Sequence, residues 1–426
     1  MNKKAVRAWV MYDWANSAFA TTMMAAVMPI FYSDIAAGNL SKTTATAYWG
    51  YTQSIALAFV VLFSPILGAI ADAASSKRTF LTFFIYMGAI ASILMAFVGE
   101  GQWILASLLV ILGTLSFSGA NVFYDAFLPD LVPEKKRDEV STRGFAFGYF
   151  GGGILLAINL LMIQHPSWFF LPDSLVATQL SFASVGVWWV AFSLPLFRHV
   201  HDKKRENTIK KKARTYAVEG FRQVKSTLIG LNKYPELLKF LIAFWFFSDG
   251  INTIVKMATI YGREIGIGTN DLILALLITQ FIGIPFTLLF GKIATKFGSM
   301  RTLIGTLAFY LMIVILGYFM QTAAHFYLMA MLVGVVQGGS QAISRSIFSR
   351  LIPVNRSAEF FGFYSLSGKL AAVFGPFLMG IIAQLTGSSR FGILALALFF
   401  IVGILMLFKV NEEKGQQEAN IAHASS

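Results

Sequence analysis

Tyr12-Asp13-Trp14-Ala15-Asn16-Ser17-Ala18-Phe19 sets an aspartate and an amide inside an otherwise apolar segment near the start of this 426-residue chain. More than half a chain later, Ser248-Asp249-Gly250-Ile251-Asn252-Thr253 repeats the pattern Asp-x-x-Asn-(Ser/Thr), again within an apolar run. On a helix those three positions fall on one face. The echo predicts two related halves, each presenting a polar stripe.

The composition says what surrounds those stripes. Hydrophobic residues make up 56% of the chain and charged residues 13%, where soluble domains carry about 25% charged residues. A surface of that kind, with 41 Phe, belongs against lipid, so the fold class expected is an all-α integral membrane protein. The chain has no cysteine, which excludes disulfides, thiol catalysis and Cys-type metal sites. Its five His form no His-x-x-x-His or Glu-x-x-His pair, so neither a metal nor a cofactor is expected. No nucleophile–base constellation is present. Gly151-Gly152-Gly153 and Gly375-Pro376 lack a following Gly-Lys-Ser/Thr, so they read as close-packing and bending sites rather than phosphate loops. Enzymatic chemistry and nucleotide-driven pumping are therefore not expected.

A spanning helix needs about 20 mostly apolar residues. Twelve segments meet that need, at 9–33, 46–71, 79–98, 103–125, 142–163, 177–197, 238–260, 271–293, 302–320, 325–347, 358–385 and 390–409. Lys3, Lys4 and Arg7 ahead of an apolar run resemble a signal peptide, but Asp13 and Asn16 interrupt its core, which favours an uncleaved first span. With both termini on one side, that side carries 29 of the 34 Lys and Arg, the other only Lys42, Arg263 and Arg390, while Lys256 and Lys369 lie within spans. Such asymmetry places both termini in the cytoplasm. It also explains the net charge of +13 as a topology signal with attraction to anionic lipid, and removes the case for a nucleic-acid partner. The expected organisation is a six-helix bundle over 1–198, a basic linker with an amphipathic helix over 199–237, a second six-helix bundle over 238–410, and a disordered polar tail over 411–426.

The repeat has further support. Gly68-Ala69-Ile70-Ala71-Asp72 with Arg78-Thr79 aligns without a gap on Gly291-Lys292-Ile293-Ala294-Thr295 with Arg301-Thr302. Leu131-Val132-Pro133 with Gly144-Phe145 corresponds to Leu351-Ile352-Pro353 with Gly362-Phe363, with two residues fewer between. Parallel duplication of six-helix units is the internal symmetry of one large transporter class.

Gly68-x-x-x-Asp72 with Lys77-Arg78 resembles the cytoplasmic loop motif of the major facilitator superfamily. Within it, Tyr12 to Phe19, Tyr124-Asp125-Ala126-Phe127-Leu128-Pro129, Asp249 to Thr253 and Gln341-Ala342-x-Ser344-Arg345-Ser346 resemble the branch of the yeast autophagy-related vacuolar effluxer and its bacterial relatives. The resemblance implies two pseudo-symmetric six-helix bundles and a secondary transporter; through the fungal member it implies amino-acid efflux. One departure matters: Thr295 stands where the first copy has Asp72, so the carboxylate's gating work is expected from the first half alone.

A charge near the bilayer centre costs about 2.5–3.5 kcal/mol on insertion scales, so those retained line a cavity or pair with each other. Lys256, four residues after Asn252 and seven after Asp249, and Lys369 are the basic candidates. Asp13, Asp125 and Asp249 are the acidic ones, since a carboxylate kept from water can exchange a proton near physiological pH. Asp249 is expected to face Asp13 across a central cavity and to be held ionised by Lys256. Asp13, lacking a partner on its own helix, is then the group for reversible protonation. Gln337, Gln341 and Arg345 recur every four residues, and Asn121 with Tyr124 forms a shorter stripe. Asn16, Asn121, Tyr124, Asn252, Gln337, Gln341 and Lys369 join Asp13, Asp249 and Lys256 as binding or coupling candidates. Asp72, Lys77, Arg78, Asp125 and Arg345 are gating candidates, Asp125 and Arg345 being corresponding positions suited to an ion pair between halves.

The reading that follows is a monomeric, proton- or ion-coupled efflux transporter of an amino acid or other small zwitterion or anion, in a bacterial cytoplasmic membrane. An exporter of amphipathic lipids or drugs, and a non-transporting receptor, are the alternatives.

Overall fold

A computed structural model describes residues 2–202, 225, 230–264, 267–386 and 389–424. Twelve long helical segments follow one another. They are α1 (Lys3–Ala26, bent by 42° into Met28–Ala36), α2 (Lys42–Ala73), α3 (Lys77–Met95), α4 (Trp103–Ala126), α5 (Arg137–Gln164) and α6 (Ser174–His199) in the first half. The second half has α7 (Pro235–Glu264), α8 (Thr269–Phe297), α9 (Ser299–Tyr318), α10 (Ala323–Arg350), α11 (Ser357–Thr386) and α12 (Ser389–Ala395 continuing as Ala397–Leu407). Side-chain caps start several of them: Asn2 accepts from Lys4 N, Ser41 from Thr44 N and Asp173 from Val176 N, each satisfying a free donor of the first turn. The bend in α1 has a visible cause, since π-helical turns over Phe19–Ala26 loosen the ladder just before Pro29.

The halves are packed alike. In the first, α1 contacts α5 and α6, α4 contacts α2 and α3, and α3 contacts α6; adding six to each number gives the principal contacts of the second. The duplication read from the sequence is thus the organisation of the molecule. Leu62, Phe83, Ile90, Leu108, Phe377 and Leu398 are exposed on the outer wall, where only a hydrocarbon solvent tolerates such a display. This is a multi-pass integral membrane protein.

The halves meet along two seams, α2 against α11 and α5 against α8 and α10. Small residues allow the approach. A Cβ on Gly362 would stand 2.7 Å from Pro65 Cα.

The tail differs from expectation. Glu412–Ala424 is a helix, α13, lying against α7 and α10. Its sequence is polar, but tertiary contacts hold it: Glu412 pairs with Arg350, Asn411 N donates to Glu236 Oε2 at 2.8 Å, and Ala419 is buried. The expected amphipathic linker helix lies outside the described residues. Asn2, beside Asp130 and Arg137, and Glu412, on Arg350, lie on the face that carries Asp72 and Lys77, called here the basic face.

Candidate functional site

Between the halves lies a cavity of about 1010 Å³. It runs from Trp49 and Gln53 on α2 to a polar floor of Asn121, Asp125, Gln341, Ser344 and Arg345, with Asn252 and Lys369 on the walls of the second half. Phe145, Phe244, Phe247, Phe361 and Tyr364 supply its apolar lining.

Arg345 closes the floor. It stands on α10 in the second half, is 3% exposed, and every partner described for it belongs to the first half. Nη1 donates to Asp125 Oδ1 at 3.0 Å, Nη2 to Asp13 Oδ2 at 3.4 Å and to Ser141 O at 3.0 Å, and Nε to Ser141 Oγ at 2.9 Å. Its guanidinium carbon lies 4.4 Å from the Phe145 ring centre and 4.8 Å from that of Trp9, contacts that suit a weakly hydrated planar cation. Tyr124 donates to Asp13 Oδ2 at 2.8 Å. Gly144 makes room, since a Cβ there would come 3.1 Å from Arg345 Nη2 and 3.2 Å from Tyr124 Oη.

Nearer the basic face four further clasps join the halves. Asp72 Oδ2 accepts from Glu359 N at 2.8 Å, so the last turn of α2 caps the first turn of α11. Lys77 lies 3.5 Å from Asp72, donates to Asp130 at 2.9 Å and reaches Ser357 on α11. Asp138 at the start of α5 receives Ser299 Oγ at 2.7 Å and Arg350 at 3.2 Å, and Arg350 also holds Glu412. Arg137 adds a bond to Ser349 O at 2.7 Å.

The sequence candidates divide. Asn121, Asp125, Asn252, Gln341, Arg345 and Lys369 line the cavity, whereas Asp13, Asn16 and Tyr124 form the layer beneath it, joined through Asn16 Nδ2 donating to Asn121 Oδ1 at 2.6 Å. Asp13 does have a charged partner, supplied by the other half. Asp249 does not face Asp13 across the cavity. It is buried against its own half, accepting from Gly375 N on α11 at 2.9 Å and from Thr253 Oγ1 at 3.3 Å. The stripe splits because positions three apart differ by some 60° around a helix: Asn252 joins Ser248 at 3.2 Å on the cavity side. The side chain of Lys256, and with it the expected pair with Asp249, lies outside what the structure describes. Gln337 lines a separate apolar chamber of about 280 Å³ that shares Ala25, Val255 and Leu276 with the main cavity. Arg78 turns to its own half, bonding Phe197 O and, through its backbone N–H, Asp202. Asp138, Ser141, Ser299, Arg350 and Glu359 were not singled out from sequence, because charges and hydroxyls near helix ends read as solvated terminal turns.

These observations can be set beside known proteins. A sequence profile described as "Vacuole effluxer Atg22 like" matches residues 38–420. The chain belongs to the Atg22-like family. It is 40% identical over 415 residues to an uncharacterized MFS-type transporter, YxiO, of Bacillus subtilis (strain 168), covering 96% of this chain and 95% of that one. It is 24% identical over 474 residues to Autophagy-related protein 22 of Eremothecium gossypii, covering 96% and 91%. Among solved structures, the proton:xylose symporter XylE has a TM-score of 0.72 at 16% identity, covering 97% of this chain and 96% of XylE. The transporter FucP in the outward conformation has a TM-score of 0.70 at 14% identity, covering 96% and 99%. The Atg22-like chain therefore has the major facilitator fold and is a transporter of that superfamily, as its sequence motifs imply.

Proposed function

We infer that this Atg22-like protein is a proton-coupled secondary transporter that exports a small amino acid or related zwitterion or anion by alternating access. The observation that carries the reading is the central cavity, whose walls offer a lysine, amides and hydroxyls and whose floor holds an arginine with two carboxylates. An amine and a carboxylate on one small molecule would find opposite charges there. The floor is sealed towards the basic face by Arg345 and the contacts beneath it. Efflux is favoured by the description of the matching family, "Vacuole effluxer Atg22 like", and proton coupling by the buried Asp13–Arg345–Asp125 cluster. The charge asymmetry supports a cytoplasmic location for the basic face and both termini, and the Bacillus subtilis relative supports a bacterial membrane. The apolar chamber beside the cavity favours a second reading, an exporter of amphipathic compounds.

Purified protein in proteoliposomes, assayed with an amino-acid panel with and without an imposed pH gradient, tests both. Gradient-dependent movement of at least one amino acid is expected. Movement of lipophilic dyes alone would transfer the case to the second reading.

A further inference from the structure

The cluster at the cavity floor has an unequal charge count. One guanidinium, Arg345, faces two carboxylates, Asp13 and Asp125. An uncompensated charge away from water is costly, and a single added proton cancels it. The two acids are not equivalent recipients. Asp13 already accepts from both Arg345 and Tyr124 on the same oxygen and has no place on the cavity wall. Asp125 lines the cavity and is held by Arg345 Nη1.

We propose that Asp125 is the residue that takes up the coupling proton from the central cavity, while Asp13 stays ionised as the fixed counter-ion of Arg345. The assignment rests on the proton-coupled reading above. A proton from cavity water bonds to a carboxylate oxygen of Asp125 and leaves a neutral carboxylic acid beside a neutral Arg345–Asp13 pair. Because Arg345 reaches from α10 into the first half, any opening of the basic face must withdraw it from α1, α4 and α5. Protonated Asp125 no longer offers an anionic acceptor, so one of the two ion pairs that Arg345 makes across the halves is lost and opening becomes easier. The charged and titratable groups facing Asp125 are Asp13 and Tyr12 on α1, Tyr124 on α4, Arg345 on α10 and Tyr364 on α11, with Lys369 on the same cavity. On α5, Glu139 and Arg143 pair with one another at 2.6 Å and are about half exposed. Asp125 thus sits where a proton from the cavity can act on the latch without disturbing the Asp13 end.

The naturally cysteine-free chain permits a test that needs no solute. Spin labels on Lys136→Cys and Lys296→Cys, one on each half at the basic face, are read in lipid nanodiscs by pulsed electron resonance between pH 5 and 8. In the parent, the wide-separation population should rise as pH falls, by about tenfold relative to the narrow one. Asp125→Asn should show the raised population at every pH, with the pH response gone. Asp13→Asn should keep the response, and Asp125→Glu, a folding control, should restore it. A response that survives in Asp125→Asn, or that vanishes in Asp13→Asn, overturns the assignment but leaves proton coupling standing. A parent that does not respond to pH overturns both.

Discussion

Gly68 is where a single methyl group should separate the two states of this transporter. A Cβ there would stand 2.6 Å from the carbonyl carbon of Ala358 and 2.9 Å from Cα of Glu359, and closer still to the Ala358 oxygen. Both obstacles are backbone, which cannot rotate away. Ordinary contact begins near 3.4 Å, so α2 and α11 would have to part by about 1 Å, and overpacking of this kind costs typically 1–3 kcal/mol. In a state open at the basic face the two helix ends are apart and the methyl group meets nothing. Gly68→Ala should therefore shift the closed-to-open ratio by about 5- to 150-fold towards open. The gain in helix propensity from Gly to Ala, up to about 1 kcal/mol, applies to both states and cancels. Gly305→Ala on α9, where nothing lies within 4 Å, is the matched control. The same pair of spin labels reads the ratio. Should Gly68→Ala retain the parent distribution, as Gly305→Ala is expected to, the α2–α11 contact is not part of the closed gate.

Asp72→Asn keeps an acceptor for Glu359 N but removes the charge beside Lys77 and the α11 N-terminus; a shift towards the open state of about 1–2 kcal/mol is expected in the distance distribution. Thr295→Asp should not compensate, because Thr295 is exposed and bonds only Lys292 O of its own helix; recovery of the closed state by the double variant would contradict this. Glu412→Gln leaves Arg350 on Asp138 but weakens its hold on α13, so hydrogen exchange should rise across 412–424 with a shift of about 1 kcal/mol in the gate; unchanged protection would show that α13 docks by other contacts. For topology, Ser41→Cys should react with an impermeant maleimide on intact cells, and Lys409→Cys only after permeabilisation. The reverse pattern would invert the orientation.

The helices and their duplication were legible because hydropathy and repeated motifs are local in the chain. Among the described residues a helix covers each of the twelve expected stretches, and the paired contacts within each half repeat with an offset of six. Candidate residues were legible as polar side chains that lipid would not tolerate, and of these Asn121, Asp125, Asn252, Gln341, Arg345 and Lys369 lie on the cavity. Their partners were not legible. That Arg345 lies among Trp9, Asp13, Tyr124 and Ser141 depends on how two rigid halves lean together in one state, and no periodicity within one helix encodes that. Asp249 was misplaced for a smaller reason: three and four residues of spacing both read as one face, yet at a helix crossing they lead to different neighbours. The tail helix was missed because its stability comes from Arg350, Glu236 and Leu351 rather than from its own sequence.

The way the basic face is closed bears on how it can open. The halves are clasped there by Asp72 on Glu359 N, Lys77 on Ser357, Asp138 with Ser299 and Arg350, Arg137 on Ser349 O, and Arg345 on two aspartates. Most of these groups are polar or charged, and each would be met by water when the halves part. A hydrogen bond exchanged for water contributes about 0.5–1.5 kcal/mol net, so the gate's total is a small sum of replaceable contacts. An apolar seam of similar extent would have to expose its hydrocarbon to water at about 25 cal/mol per Å² on every cycle. The two copies of the repeat reach the same end differently: the first half uses Asp72 to cap α11, while the second, with Thr295 at that position, is tied by Asp138 reaching from α5 to Ser299 and Arg350. Because the clasps are unlike, a change at one of them, such as a proton on Asp125, can tip the balance without dissolving the others. An equilibrium poised in this way can be shifted by a ligand worth only a few kcal/mol.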